Sequence, residues 1–185
     1  MQELSMNILD IAENSVAANA TLVQITLNGQ TAQKLLTLTI QDNGKGMSQE
    51  LVQRVTDPFC TSRTTRKVGL GLPFLKMAAQ LTGGDMYIQS TVGVGTCVTA
   101  TFTLGHIDLM PLGDVAGTVT TLIQCNPQVD FIYTLTVNSQ SFCTDTRQLR
   151  EILGDVPLST PQVALFIKEY IEENSAELYT GLLNI

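Results

Sequence analysis

Apolar residues recur at helical spacing near the start of the chain. Leu4, Ile8 and Ile11, with Ala12, Ser15 and Val16 beside them, put one broad buried stripe on a helix over residues 3 to about 19. Alternation then replaces that period. Leu22 or Val23, Ile25 and Leu27 alternate with polar positions, Asn28-Gly29 supplies turn chemistry, and residues 34–42 alternate again, which predicts a β-hairpin. Ser48 starts a short helix as its cap, with Leu51, Val52 and Val55 turned inward. A further helix begins at Gly69-Leu70-Gly71-Leu72-Pro73 and stops at Gly83-Gly84. Two strands follow, Asp85 to Ser90 and Thr96 to Leu104, joined through Val92-Gly93-Val94-Gly95. Helix, two strands, helix, loop, helix and two strands predict an α+β fold in two layers, with helices on one face of a mixed, mostly antiparallel sheet.

Beyond residue 104 the pattern continues more briefly. A helix is expected from about Asp114 to Asn126-Pro127, and a hairpin from Asp130 to Thr144 turning at Asn138-Ser139-Gln140. Thr146 to Leu153 reads as a helix closed by Gly154, and Thr160-Pro161 opens another that runs to about Asn174. Residues 105–185 are expected to form a small α+β module beside a first domain at 1–104. It docks on that domain, dimerises or meets a partner, and its pattern does not choose among these. The acidic tail reads as a solvated face.

Composition narrows the function. A hydrophobic share of 44% with 15% charged residues describes a folded globular chain of 185 residues. A net charge of -7 argues against nucleic acid, whose affinity rests on Lys and Arg. No apolar run suits a membrane span and the N-terminus lacks a signal-peptide pattern, so the expected setting is the cytoplasm. The four cysteines are widely spaced and there is one histidine, His106, so reduced and mostly buried thiols are expected in place of a metal cluster.

Two stretches carry candidate chemistry. Residues 57–72 hold hydroxyls, then Arg63, Arg66 and Lys67, then glycines that let backbone approach a ligand, a local reversal of charge suited to phosphate. Asp42-Asn43-Gly44-Lys45-Gly46-Met47 lies at a strand end. It is turn chemistry, or a base-recognition loop in which Asp42 accepts from an exocyclic amine. Asp10 and Asn14, four apart, share one helix face, which is also how the wet side of an amphipathic helix looks.

In order, Asp10-Ile-Ala-Glu-Asn14-Ser15, Asp42-Asn-Gly44-Lys-Gly46-Met47, Asp57-Pro-Phe59, Gly69-Leu-Gly71-Leu72 and Gly93-Val-Gly95-Thr96 resemble the motif series of one ATP-binding domain. That domain is shared by gyrase, MutL-type repair proteins, histidine kinases and anti-sigma serine kinases, the GHKL superfamily, whose Bergerat-type ATP-binding fold is then implied. The resemblance covers about residues 3 to 104. It implies that Asn14 coordinates Mg²⁺ bridging the phosphates of ATP, and that Asp42 reads the adenine amine with Gly44, Gly46 and Met47 lining the base pocket. It places Phe59, Thr61, Ser62 and Arg63 in the lid, Gly69, Leu70, Gly71 and Leu72 around the phosphates, and Thr96 near the adenine. Members that hydrolyse ATP or phosphorylate serine have a glutamate at the position of Asp10, so the implied general base is here one methylene shorter.

No phosphoacceptor histidine domain is expected within this chain, and His106 reads as structural. The activity implied is a protein kinase or ATPase that uses Mg²⁺-ATP and signals to a partner protein in trans. A nucleotide-gated interaction module with weak catalysis and a slow ATPase working as a homodimer, in the manner of MutL, stand beside it.

Overall fold

The computed structural model describes residues 3–55 and 71–183. Phe59, Thr61, Ser62, Arg63, Gly69 and Leu70 therefore lie outside the described residues. The described elements are helix α1 (Leu4–Ala17), strands β1 (Leu22–Gln30) and β2 (Leu35–Asp42), helices α2 (Gln49–Val55) and α3 (Gly71–Leu81), and strands β3 (Met86–Thr91) and β4 (Gly95–Thr103). Helix α4 (Val115–Cys125), strands β5 (Asp130–Val137) and β6 (Gln140–Asp145), and helices α5 (Thr146–Leu153) and α6 (Pro161–Leu183) complete them.

One mixed sheet of six strands, in the order β3-β4-β2-β1-β5-β6, carries the whole molecule. All its pairings are antiparallel except β1 with β5. Alternation in β1 leaves every second side chain buried, so Val23, Ile25 and Leu27 face the helices while Gln24, Thr26 and Asn28 face away. Phe131, Tyr133 and Leu135 of β5 sit in register beside those three and are equally buried. Each such side chain contributes about 1.5–3 kcal/mol on burial. Helix α1 buries Leu4, Ile8, Ile11 and Ala12 against the same face, and Ile167 and Ile171 of α6 are at 0% exposure. The α+β two-layer architecture expected from the pattern is the one observed.

Residues 105–183 are built into this sheet. Strand β5 pairs along β1 from Leu22 with Asp130 to Gly29 with Val137, and one buried apolar cluster includes side chains from both parts of the chain. The expected division at residue 104 is thus crossed by a strand pairing and by a common core.

Four local expectations are corrected. Asn28-Gly29 does not turn: both lie inside β1, paired with Thr37 and Leu36, and the turn falls at Thr31–Gln33, closed by Lys34 at φ 51°. Gly29 is a glycine for packing, because a Cβ there would overlap the Leu182 side chain. The same contact explains why α6 passes Asn174 and runs on to Leu183, since Leu178 and Leu182 are buried. In α2 Val55 is buried but Leu51 is 38% exposed, so that helix turns only its last residue fully inward. Among the described residues the thiols are less buried than expected: Cys97 is half-buried, while Cys125 and Cys143 are exposed, and Cys60 lies outside the described residues. His106 accepts from the Asp108 N–H through Nδ1 at 3.1 Å, a local loop contact.

Candidate functional site

Asp42 ends β2, where the strand opens into the loop that the sequence singled out. Its carboxylate is held at three points. Oδ2 accepts from the Ser15 hydroxyl of α1 at 2.7 Å, while Oδ1 accepts from the Gly44 N–H at 2.9 Å and the Thr96 N–H at 3.3 Å. Ser15 is 4% exposed, and a hydroxyl so deeply buried needs a partner. The network extends further, as the Ser90 and Thr96 hydroxyls lie 2.9 Å apart and Ser90 Oγ accepts from the Met47 N–H at 2.8 Å. Four elements thus fix one acid.

The loop after Asp42 is tied on both sides. Asn43 Oδ1 accepts from the Thr21 and Leu22 N–H groups at 2.9 Å each, and the Lys45 N–H donates to the Ala18 carbonyl at 2.9 Å. From the β3–β4 turn, the Gly93 N–H donates to the Lys45 carbonyl at 2.8 Å. Gly46 has φ 63°, and a Cβ there would meet the Thr91 carbonyl. At Gly44 the obstacle would be the Ala18 carbonyl at 2.8 Å. Both glycines are required by how tightly the loop packs on α1 and the β3–β4 turn, whatever lies on its outer side.

Asp10 and Asn14 stand one turn apart on α1, the same helix that supplies Ser15. Asp10 is exposed, Asn14 is half-buried, and among the described residues neither side chain makes a hydrogen bond. The first turn of α3 packs on Asp10, since a Cβ on Gly71 would come within 2.9 Å of the Asp10 Cβ. Leu72 is 6% exposed and belongs to the core, so its backbone alone is available to a ligand. The structure therefore gathers Asp10, Asn14, Asp42, Gly44, Gly46, Met47, Gly71 and Thr96 around the end of α1, and adds two residues that sequence reasoning missed. Ser90 gave no local signal. Ser15 did: a polar side chain in a buried helical stripe is a signal for a specific partner.

Residues 1–106 match the family described as histidine kinase-, DNA gyrase B-, and HSP90-like ATPase. The chain belongs to this ATPase family. A putative sensor protein of Shewanella frigidimarina is 34% identical over 111 residues, which cover 58% of this chain and 17% of that protein. Sporulation kinase D of Bacillus subtilis is 34% identical over 94 residues, covering 51% of this chain and 18% of the kinase. The chain spans less than a fifth of the length of these curated relatives. Among solved structures, the N-terminal domain of a DNA repair protein aligns with a TM-score of 0.55 at 13% identity, over 77% of this chain and 52% of that one, a likeness of fold.

Asp10 and Asn14 put one acidic and one amide oxygen on the same face of α1. No group of three or more His, Cys, Asp or Glu side chains among the described residues could cage a metal. That donor set fits magnesium that arrives with phosphates and keeps water, which needs only one or two protein oxygens. No described helix is long and apolar enough to cross a membrane.

Proposed function

We propose that this chain binds Mg²⁺-ATP and passes the γ-phosphoryl group to a partner protein in the cytoplasm, or to water. The observation that carries this reading is the three-point grip on Asp42. With both Oδ1 lone pairs engaged and one Oδ2 lone pair taken by Ser15, the carboxylate offers a single remaining acceptor position, which suits the exocyclic amine of adenine and repels the 6-oxo group of guanine. Met47 and Thr96 flank it. Asn14, unengaged and half-buried, supplies an amide oxygen toward the metal, and the backbone at Gly71 and Leu72 offers helix N–H groups toward phosphate. Magnesium, when bound, offsets charge on the phosphates. Asp10 takes a proton from the attacking hydroxyl or water, directly or through one water. The name of sporulation kinase D supports a kinase reading, with a serine, histidine or aspartate of another protein as acceptor.

A second reading, a nucleotide-gated interaction module with little turnover, draws support from Asp10 itself. A general base is ordinarily oriented by a neighbour, and Asp10 has no hydrogen-bond partner among the described residues. Isothermal titration with ATP, with and without Mg²⁺, followed by phosphate release from the same sample, separates the two. Binding with turnover supports the enzyme, binding without it the module, and no binding overturns both.

A further inference from the structure

The two edges of the sheet are finished differently. At β3 the Gln49 amide of α2 donates to the Ser90 carbonyl at 3.3 Å, so a neighbouring element occupies that edge. Among the described residues, β6 pairs only with β5. Its hairpin closes through Val137 and Gln140 around Asn138-Ser139, with Asn138 at φ 54°. A two-residue turn makes Val137 and Gln140 a hydrogen-bonded pair, and alternation then points the N–H and C=O groups of Ser141 and Cys143 away from the sheet. From Gln140 to Thr144 the strand has no proline and no charge, the usual protections of an open edge.

Beside that edge lies a cleft of ≈ 150 Å³ between α5 and α6, with Leu149, Ile152 and Leu153 on one wall and Phe166 and Tyr170 on the other. Ile152 is 79% exposed and Phe166 53%, although the Phe166 and Tyr170 rings stack with centroids 6.2 Å apart. Thr144 also lines the cleft. It is 5% exposed, and its hydroxyl has no hydrogen-bond partner among the described residues.

Charge decides what fits. All three cations after residue 104 are engaged: Arg147 with Asp145 at 2.6 Å, Arg150 with Asp130 at 3.2 Å, and Lys168 with Asp114 at 3.1 Å. Glu151, Glu169 and Glu173 are exposed and form no ion pair among the described residues. Glu169 and Glu173 each follow a cleft aromatic, Phe166 or Tyr170, by three positions and share its helix stripe. A second copy would bring an uncharged strand and the same carboxylates, so self-pairing is opposed by like charge. We propose that β6 takes an extended segment of another protein as an added strand, one that carries apolar side chains and Lys or Arg together on the side facing α5 and α6, the apolar ones in the cleft and the cations toward Glu169 and Glu173.

The test uses the full chain and a fluorescein-labelled, end-blocked octapeptide with valine and lysine in turn at its odd positions and threonine at the even ones, so that valine and lysine share one face, read by anisotropy. Saturable one-to-one binding is expected, weakened about fivefold in the Glu169→Gln/Glu173→Gln variant, whose substitutions are on the surface. Methylating alternate backbone nitrogens of the peptide should weaken it more than about tenfold, since strand addition rests on main-chain hydrogen bonds. Equal binding of a valine–glutamate peptide, or of the N-methylated peptide, overturns the proposal. So does a dimer in sedimentation that Phe166→Ser dissociates, which would give the edge to a second copy.

Discussion

Two carboxylates, Asp42 at the end of β2 and Asp10 on α1, are prepared in opposite ways. Asp42 is gripped by a hydroxyl and two backbone N–H groups, so its direction is set before any ligand arrives. Asp10, little more than one helical turn away from Ser15, is exposed and makes no hydrogen bond among the described residues. An acid that reads a shape must be fixed, because an unfixed acceptor discriminates poorly. An acid that is to move a proton needs a neighbour to orient it, and on the reading proposed above Asp10 would gain one only from what binds. On that reading, recognition is built into the resting protein, whereas catalysis would have to be completed by what binds.

That contrast is broken most easily at Asp10. Asp10→Asn should lower turnover by about 10²- to 10⁴-fold while the dissociation constant for Mg²⁺-ATP stays unchanged, as read by phosphate release and titration on one preparation. An unchanged rate would remove Asp10 as the base. Asp42→Asn should act the other way, weakening ATP about 100-fold by turning an amide donor toward groups that already donate. If ATP binds that variant as tightly as the parent, Asp42 reads nothing. Ser15→Ala sharpens the comparison, because it leaves the carboxylate in place and removes one restraint. Its cost should be about five- to tenfold in affinity, with a smaller ratio of ATP to GTP binding, measured by competition.

The smallest effect concerns a third carboxylate, fixed like Asp42 but at the start of α4. Asp114 caps α4, accepting from the Gly117 N–H at 2.7 Å. That bond first, and then Lys168, holds its carboxyl below the ordinary 3.8, against a lesser opposing effect of burial. A depressed value in the folded state means that its stabilisation is present above 3.8 and is lost as pH falls below it. Urea midpoints should therefore drop less between pH 5 and about 3 in Asp114→Asn, a side chain that still caps. Asp114→Ala should cost about 1 kcal/mol at neutral pH.

Much of this was legible because local pattern and buried face agree. The alternation from Val23 to Leu27 is the pattern of burial in β1, and a strand-end aspartate before glycines is where the loop forms. Legibility failed where a distant contact decided the local residue. Gly29 looks like a turn because nothing nearby announces Leu182. Ser15 looks like one more member of an apolar stripe until Asp42 is brought to it across 27 positions. The parallel pairing of β5 with β1 is of the same kind, since alternation names a strand but not its neighbour.

That pairing has a consequence for how the protein is made. Strand β1 emerges early, yet its partner follows more than a hundred residues later, a wait on the order of 10 s at ~5–20 residues per second. During that interval the site-bearing half can assemble around β2, but β1 stands as an unprotected margin beside a core that still lacks Phe131 and Tyr133. A nascent chain halted near residue 106 would therefore expose the open margin of β1. The contact of Leu182 with Gly29 can form only once α6 has also emerged.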